Sequence, residues 1–230
     1  MGMMQVTLEK KINLTQDVYE LHYKLPEPKI MLPGQFVTFI LTGIGGRSYS
    51  ILEIIDDIAI LIIKKWEQSD GGRGGSIALC DASVGDEFKV VGPSGHFVLQ
   101  DNSDNKLFLG TGTGLVPLYN QILEGLKKDS REKYQLVFGV RHMNDMFYTD
   151  KFEALKLQYP DRFFYHLLTS RDEENGIIGK GYVTDFLSES VVDKYSEYYI
   201  CGAPAMIEGC QKRLTELGVL EEKVYFEKYS

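Results

Sequence analysis

The feature that most constrains the fold is a change of rhythm near residue 100. From about Gln5 to Leu99, short runs of β-branched and aromatic residues alternate with turn signals. Residues 35–41 follow Pro33-Gly34, residues 49–55 lead into Asp56-Asp57, and residues 58–65 emerge from it. Such runs at this spacing predict an antiparallel barrel or sandwich. One helix interrupts them, over residues 75–80, with Ser76 or a glycine at its start. From Lys106 onward, strand-like runs (106–110, 134–139, 162–168, 197–201, 223–226) alternate with helical ones. The helices are expected over 116–126, through 152–155, briefly near 183–187, and over 204–217. That alternation predicts a parallel sheet with crossover helices. The polar stretch at residues 100–105 suits a boundary. The expected organisation is therefore an antiparallel β-barrel domain over residues 1–101 and an α/β parallel-sheet domain over residues 102–230.

Composition narrows the partners. The 230-residue chain carries a net charge of −8, which argues against nucleic acid, whose phosphates demand clustered Lys and Arg. No apolar run approaches the ~18 residues of a membrane span. The opening Met1-Gly2-Met3-Met4-Gln5 has neither signal-peptide character nor, with Thr7 one position late, a myristoylation pattern. Cys80, Cys201 and Cys210 lack metal spacing, so neither a zinc site nor an iron–sulfur cluster is expected. A reducing, cytoplasmic compartment is the natural expectation.

Several segments carry chemistry. Arg47-Ser48-Tyr49-Ser50 places a cation and a ring on one side of a strand and a hydroxyl on the other. A flavin dinucleotide needs a forked cation for its pyrophosphate, a flat surface for its ring and a small polar donor. An ordinary strand with a surface Arg and a half-buried Tyr has the same residues. Gly71-Gly72-Arg73-Gly74-Gly75-Ser76 runs into the predicted helix, where glycines let backbone N–H groups approach phosphate; a surface loop would read the same way. Residues 91–97 read as a turn between strands, with His96 a solvated loop residue.

In the second half, Gly110, Gly112 and Gly114 do not fit the G-x-G-x-x-G fingerprint in either register. A strand end, a glycine turn, the Thr111 and Thr113 hydroxyls and an early Pro117 still describe a dinucleotide cradle, or a plain βα turn. Glu132 lies about 20 residues on, where a ribose-binding acid is sought, but its charged surroundings suggest a solvated side chain. Tyr199-Ile200-Cys201-Gly202-Ala203-Pro204 repeats the strand–glycine–helix logic. Cys201 reads either as a site residue at the strand end or as a small buried apolar one. Cys210 reads as core.

Taken together, Arg47-Ser48-Tyr49-Ser50, Gly74-Gly75-Ser76, Gly112-Thr113-Gly114-Leu115-Val116-Pro117, Tyr199-Ile200-Cys201-Gly202-Ala203-Pro204 and Glu227-Lys228-Tyr229 resemble the ferredoxin–NADP reductase superfamily in order and over essentially the whole chain. Ala203 stands where relatives often carry Pro. The resemblance implies a flavin barrel followed by a nucleotide-binding domain. It implies that Arg47 pairs with the FAD pyrophosphate, that Tyr49 lies against the isoalloxazine and that Ser50 hydrogen-bonds near N5. Gly74, Gly75 and Ser76 would bind pyrophosphate. Gly112, Thr113, Gly114, Pro117 and Gly202 would take the nicotinamide nucleotide. Cys201 and Glu227 would lie near the nicotinamide–flavin contact, and Tyr229 would shield the flavin. No acid–base dyad is expected from His22, His96, His142 or His166.

Arg141, Ser170, Arg171 and Lys180 resemble a 2′-phosphate cluster and tilt the expectation to NADPH over NADH, although Asp172, Glu173 and Glu174 adjoin them. The implied activity is transfer of hydride from NAD(P)H to FAD and of electrons onward to ferredoxin, flavodoxin or a small molecule. Two alternatives stay open: an electron-transfer subunit of a larger oxidoreductase, and a non-catalytic nucleotide-binding redox sensor.

Overall fold

A computed structural model describes residues 2–229. The chain divides into two compact units, Met1–Leu99 and Gln100–Ser230. In the first, β1 (Met3–Asn13), β2 (Val18–Lys24), β3 (Phe36–Leu41), β4 (Gly45–Ile55), β5 (Ile58–Lys64) and β6 (Glu87–Ser94) close into an antiparallel barrel of order β1-β2-β5-β4-β3-β6. Alternate side chains point inward, as the pleat requires. Leu8, Leu21, Phe39, Ile51 and Leu61, all at most 1% exposed, fill the barrel. A short helix, α1 (Gly75–Cys80), packs Leu79 and Cys80 into that core.

Residues 91–97 are not simply a turn. β6 continues to Ser94 because Val91 pairs with Met3 on one side and Thr38 on the other, so closure of the barrel extends the strand past the glycine and proline. The turn begins only at Gly95, which has a positive φ of 114°.

The second unit is a six-stranded parallel sheet of order β10-β9-β8-β7-β11-β12. Its strands are β7 (Lys106–Thr111), β8 (Tyr134–Val140), β9 (Phe163–Thr169), β10 (Ile178–Lys180), β11 (Glu197–Gly202) and β12 (Val224–Lys228), with α2 (Leu115–Lys127), α3 (Thr149–Gln158), α4 (Glu189–Val192) and α5 (Pro204–Glu216) between them. All seven residues of β8 are buried, the near-continuous burial expected of a strand covered on both faces. The helix expected near 183–187 is a single 3-10 turn, Val183–Phe186. No helix among the described residues is long and apolar enough to cross a membrane.

Two charged clusters at the lower end of this sheet were not legible in the sequence. Lys106, fully buried, donates to Asn102 Oδ1 and the Asp104 carbonyl, each at 2.8 Å, and lies 3.6 Å from Glu197 Oε2, the same oxygen that accepts from the Tyr199 hydroxyl at 2.9 Å. Glu132 is 6% exposed rather than solvated. The Arg162 guanidinium reaches it at 3.9 Å while donating to the carbonyls of Gly125, Leu126 and Lys128 at the end of α2. A helix terminus supplies the orphan carbonyls, and the fork of Arg162 satisfies them.

Candidate nucleotide and flavin sites

In the barrel, Arg47 lies opposite Phe39 and Tyr49 opposite Val37 in the β3–β4 register. Arg47 and Tyr49 therefore share a face, and Ser48 and Ser50 take the other. Ser48 is 2.9 Å from the Thr38 hydroxyl there, and Ser50, opposite Phe36, is 6% exposed. The Tyr49 ring meets Phe39 edge-on at 6.0 Å. Burial, reinforced by Cys80, pushes its phenol up to about 12 against the opposing charges of Arg47 and Arg73.

The glycine run meets this face. Gly74 adopts a φ of +81°, which only glycine takes readily. A Cβ on Gly75 would stand 2.5 Å from Arg47 Cγ and 2.7 Å from the Tyr49 hydroxyl. Arg47 Nη1 donates to the Gly46 carbonyl at 2.7 Å and Nη2 to the Arg73 carbonyl at 3.2 Å. Its Nε–H is buried and has no partner among the described residues. A buried donor left unmade costs about 1–3 kcal/mol, and a cationic donor in a glycine-walled recess is suited to an anionic oxygen. The recess thus fits a dinucleotide pyrophosphate. Ser76 Oγ accepts the Trp66 N–H at 3.0 Å, a role that leaves its hydroxyl hydrogen for a second partner. Arg47, Tyr49, Gly74, Gly75 and Ser76 are brought together; Ser50 sits on the opposite face of its strand.

In the second unit, β7 lies between β8 and β11, so the crossovers from the sheet centre run in opposite directions. Ligands of such sheets bind beyond the carboxyl ends of the strands at this reversal. β7 enters the turn Gly112–Gly114 and then α2, with Pro117 buried in its first turn. A Cβ on Gly114 would lie 2.3 Å from the Cys201 carbonyl oxygen. A Cβ on Gly202, whose φ is +146°, would lie 2.2 Å from Thr111 Oγ1, the atom that accepts the Ala203 N–H at 3.4 Å. Two strand ends therefore approach backbone to backbone.

Cys201 sits across from Gly110 on one side and Glu227 on the other. Tyr229 closes over the same turn, its hydroxyl donating to the Thr113 carbonyl at 3.3 Å. Cys201 is fully buried. Burial, and next the Glu227 charge, drive its thiol well above the ordinary range, against a lowering contact from Tyr229. The neutral thiol is no nucleophile; it offers a small uncharged surface.

The rim of the sheet collects the basic residues. The Arg171 N–H donates to the Arg141 carbonyl at 3.0 Å, the Ser170 N–H to the Val140 carbonyl at 3.1 Å, and Lys180 pairs with Thr169 in register. Arg141, Arg171 and Lys180 are exposed. Two features weaken the positive field. Lys180 is ion-paired with Glu173. Asp172 accepts the Met143 N–H at 2.6 Å and meets His142 Nδ1 at 2.9 Å, and these contacts hold its carboxyl below the ordinary range. Tyr182, two residues past the end of β10, is 65% exposed. Sequence reasoning missed it, and missed Trp66; in each case the signal was an aromatic within two residues of a strand's end. Among the described residues, no group of His, Cys, Asp and Glu converges as a metal site would.

Known proteins resemble the chain in sequence and in fold. The family model "Oxidoreductase NAD-binding domain" matches residues 108–212. The chain is 29% identical over 203 residues to the toluate 1,2-dioxygenase electron transfer component of Pseudomonas putida, covering 86% of this chain and 59% of that protein. It is 31% identical over 153 residues to a subunit of the Na(+)-translocating NADH-quinone reductase of a Marinomonas species, covering 63% of this chain and 37% of that one. The chain thus spans less than two thirds of the length of both relatives. The Amycolatopsis cytochrome P450 reductase GcoB superposes with a TM-score of 0.88 at 24% identity, over 99% of this chain and 69% of that one.

Proposed function

We propose that the chain is a member of the ferredoxin–NADP reductase-like superfamily, a flavin-dependent oxidoreductase that takes hydride from NAD(P)H and passes electrons to a separate acceptor. The observation that carries this reading is the buried, unpartnered Nε–H of Arg47 over Gly75. Bound FAD would supply the hydride-accepting and one-electron-releasing chemistry. The chain's own residues bind and align. Arg47, with Gly74, Gly75 and Ser76, holds the pyrophosphate of FAD, and Tyr49, with its raised phenol pKa, stays a neutral surface and hydrogen-bond donor beside it. Ser50 is assigned to the flavin N5 side on the resemblance alone.

The second unit holds the coenzyme. The turn Gly112–Gly114 lets backbone N–H groups approach phosphate where side chains would intrude. Cys201 and Glu227 flank the nicotinamide end, and Tyr229 covers it until the coenzyme arrives. Arg141, Ser170 and Arg171 favour the 2′-phosphate of NADPH, with Lys180 joining when it leaves Glu173. The acceptor is proposed to be ferredoxin, flavodoxin or a comparable small redox protein.

A second reading, that the chain serves as the electron-transfer subunit of a larger oxidoreductase, is favoured by one observation: the relatives described above are themselves components or subunits of larger systems. Purification decides first. The protein is expected to be yellow, with flavin absorption near ~450 nm, and to bleach anaerobically with NADPH. A colourless protein that stays colourless after incubation with FAD overturns the proposal and leaves a nucleotide-binding sensor.

A further inference from the structure

The loop from Trp66 to Ser76 is a closed frame around the Arg47 recess. Its two ends are tied together, since the Trp66 N–H donates to Ser76 Oγ at 3.0 Å. Its waist is pinched at Gly72, where a Cβ would stand 2.2 Å from the Trp66 carbonyl oxygen and whose N–H donates to the Glu67 carbonyl at 3.0 Å. The Arg73 carbonyl takes Arg47 Nη2, and Gly75 lies under Arg47 and Tyr49. Trp66 is thus fixed, through its backbone, to the residues that hold the pyrophosphate.

Its side chain is not buried with them. Every other aromatic of the barrel unit is buried or half-buried, while the Trp66 indole is 44% exposed. The ring is held all the same. Lys64 Nζ lies 5.2 Å from its centroid and is itself anchored to Asp17 at 2.8 Å. A cation over one face of an indole orients the ring. A large flat apolar surface kept in water and held rigid beside a phosphate recess is suited to a stacked base.

We propose that Trp66 is the platform for the adenine of FAD, and that it makes the barrel unit select FAD over FMN. The inference rests on the flavoprotein reading but adds a residue and a discrimination to it. FMN shares the isoalloxazine and one phosphate and lacks the adenylate, so Trp66 has nothing to stack upon when FMN binds.

The test is binding, not turnover. The full-length protein is stripped of flavin and titrated with FAD and with FMN, binding being read from flavin fluorescence, for the wild type, Trp66→Ala, Trp66→Leu and Trp66→Tyr. A lost base–aromatic stack is expected to weaken FAD about 10-fold in the Ala and Leu variants, to leave FMN unchanged, and to be restored by Tyr. The unchanged FMN affinity certifies that the recess is still folded, and Leu keeps the apolar volume where Ala disturbs the loop. If both flavins bind but the variants leave the FAD-to-FMN ratio where it was, Trp66 is not the platform and the flavoprotein reading stands. If the wild type binds neither flavin, both fall together.

Discussion

Gly75 stands so close to Arg47 that a single added carbon would lie 2.5 Å from Cγ of the arginine. The absent side chain is what lets the guanidinium sit at the start of α1, with one N–H buried and unused. Gly75→Ala is expected to displace Arg47 and cost about 1–3 kcal/mol of stability as an overpacked contact. The purified variant should carry little flavin. Stoichiometric yellow protein with a wild-type melting curve would contradict this.

Arg47→Lys tests the fork rather than the charge. Lysine keeps the positive charge but cannot donate in a plane to Gly46, Arg73 and a phosphate at once. FAD affinity is expected to fall at least about 10-fold, as for loss of a charge-assisted hydrogen bond. Equilibrium dialysis of flavin measures it, and wild-type retention would remove Arg47 from the site.

Arg162→Ala removes the group that satisfies the carbonyls of Gly125, Leu126 and Lys128 and leaves Glu132 buried without its cation. Breaking such a partly buried pair costs about 3 kcal/mol. Urea unfolding should show that loss, whereas a shift within ~0.5 kcal/mol would mark an ordinary surface substitution.

The cysteines give stability a pH dependence of known sign. Burial holds the thiols of Cys80 and Cys210 up near about 12, and that of Cys201 high as well, whereas an unfolded thiol ionises near 9.0. Below that value both states are protonated and the contribution is complete. Above it only the unfolded chain releases its protons, so stability falls as pH rises from about 9 toward 12. Urea midpoints taken from pH 8 to 11 should decline, and the native thiols should resist disulfide reagents until the chain unfolds.

The proposed 2′-phosphate cluster at the rim makes coenzyme choice testable. Glu173→Gln frees Lys180 from its ion pair and is expected to lower KM for NADPH more than for NADH. Arg171→Ala should do the reverse. Added salt should weaken NADPH more than NADH, because exposed charges are screened. Equal responses of the two coenzymes would show that no 2′-phosphate binds there.

The architecture was legible in the sequence because each half has its own period. The run over 35–41 packs as an alternating barrel strand, the run over 58–65 as a barrel strand with five consecutive buried residues, and the run over 134–139 buries both faces, as a central parallel strand must. Pairing, by contrast, is a property of neighbours. Residues 91–97 look like a turn until Met3 and Thr38 are seen on either side of Val91. Glu132 looks solvated until Arg162, 30 residues away, closes over it. The glycines at 75, 114 and 202 mark close approaches and those at 74 and 112 mark left-handed backbone, so they stand out in the sequence even though no fingerprint fits. What the sequence could not disclose is what faces that space, such as the Arg47 side chain and the Tyr49 hydroxyl against Gly75.

Where β7 and β11 end, Gly114 and Gly202 let the two strand ends come almost into main-chain contact, with no side chain to trim or enlarge. Substitution at this hub has nowhere to go. Diversification among descendants of such a chain is therefore channelled outward, to exposed positions such as Arg141, Arg171, Lys180 and Tyr182, which can change while the hub stays rigid.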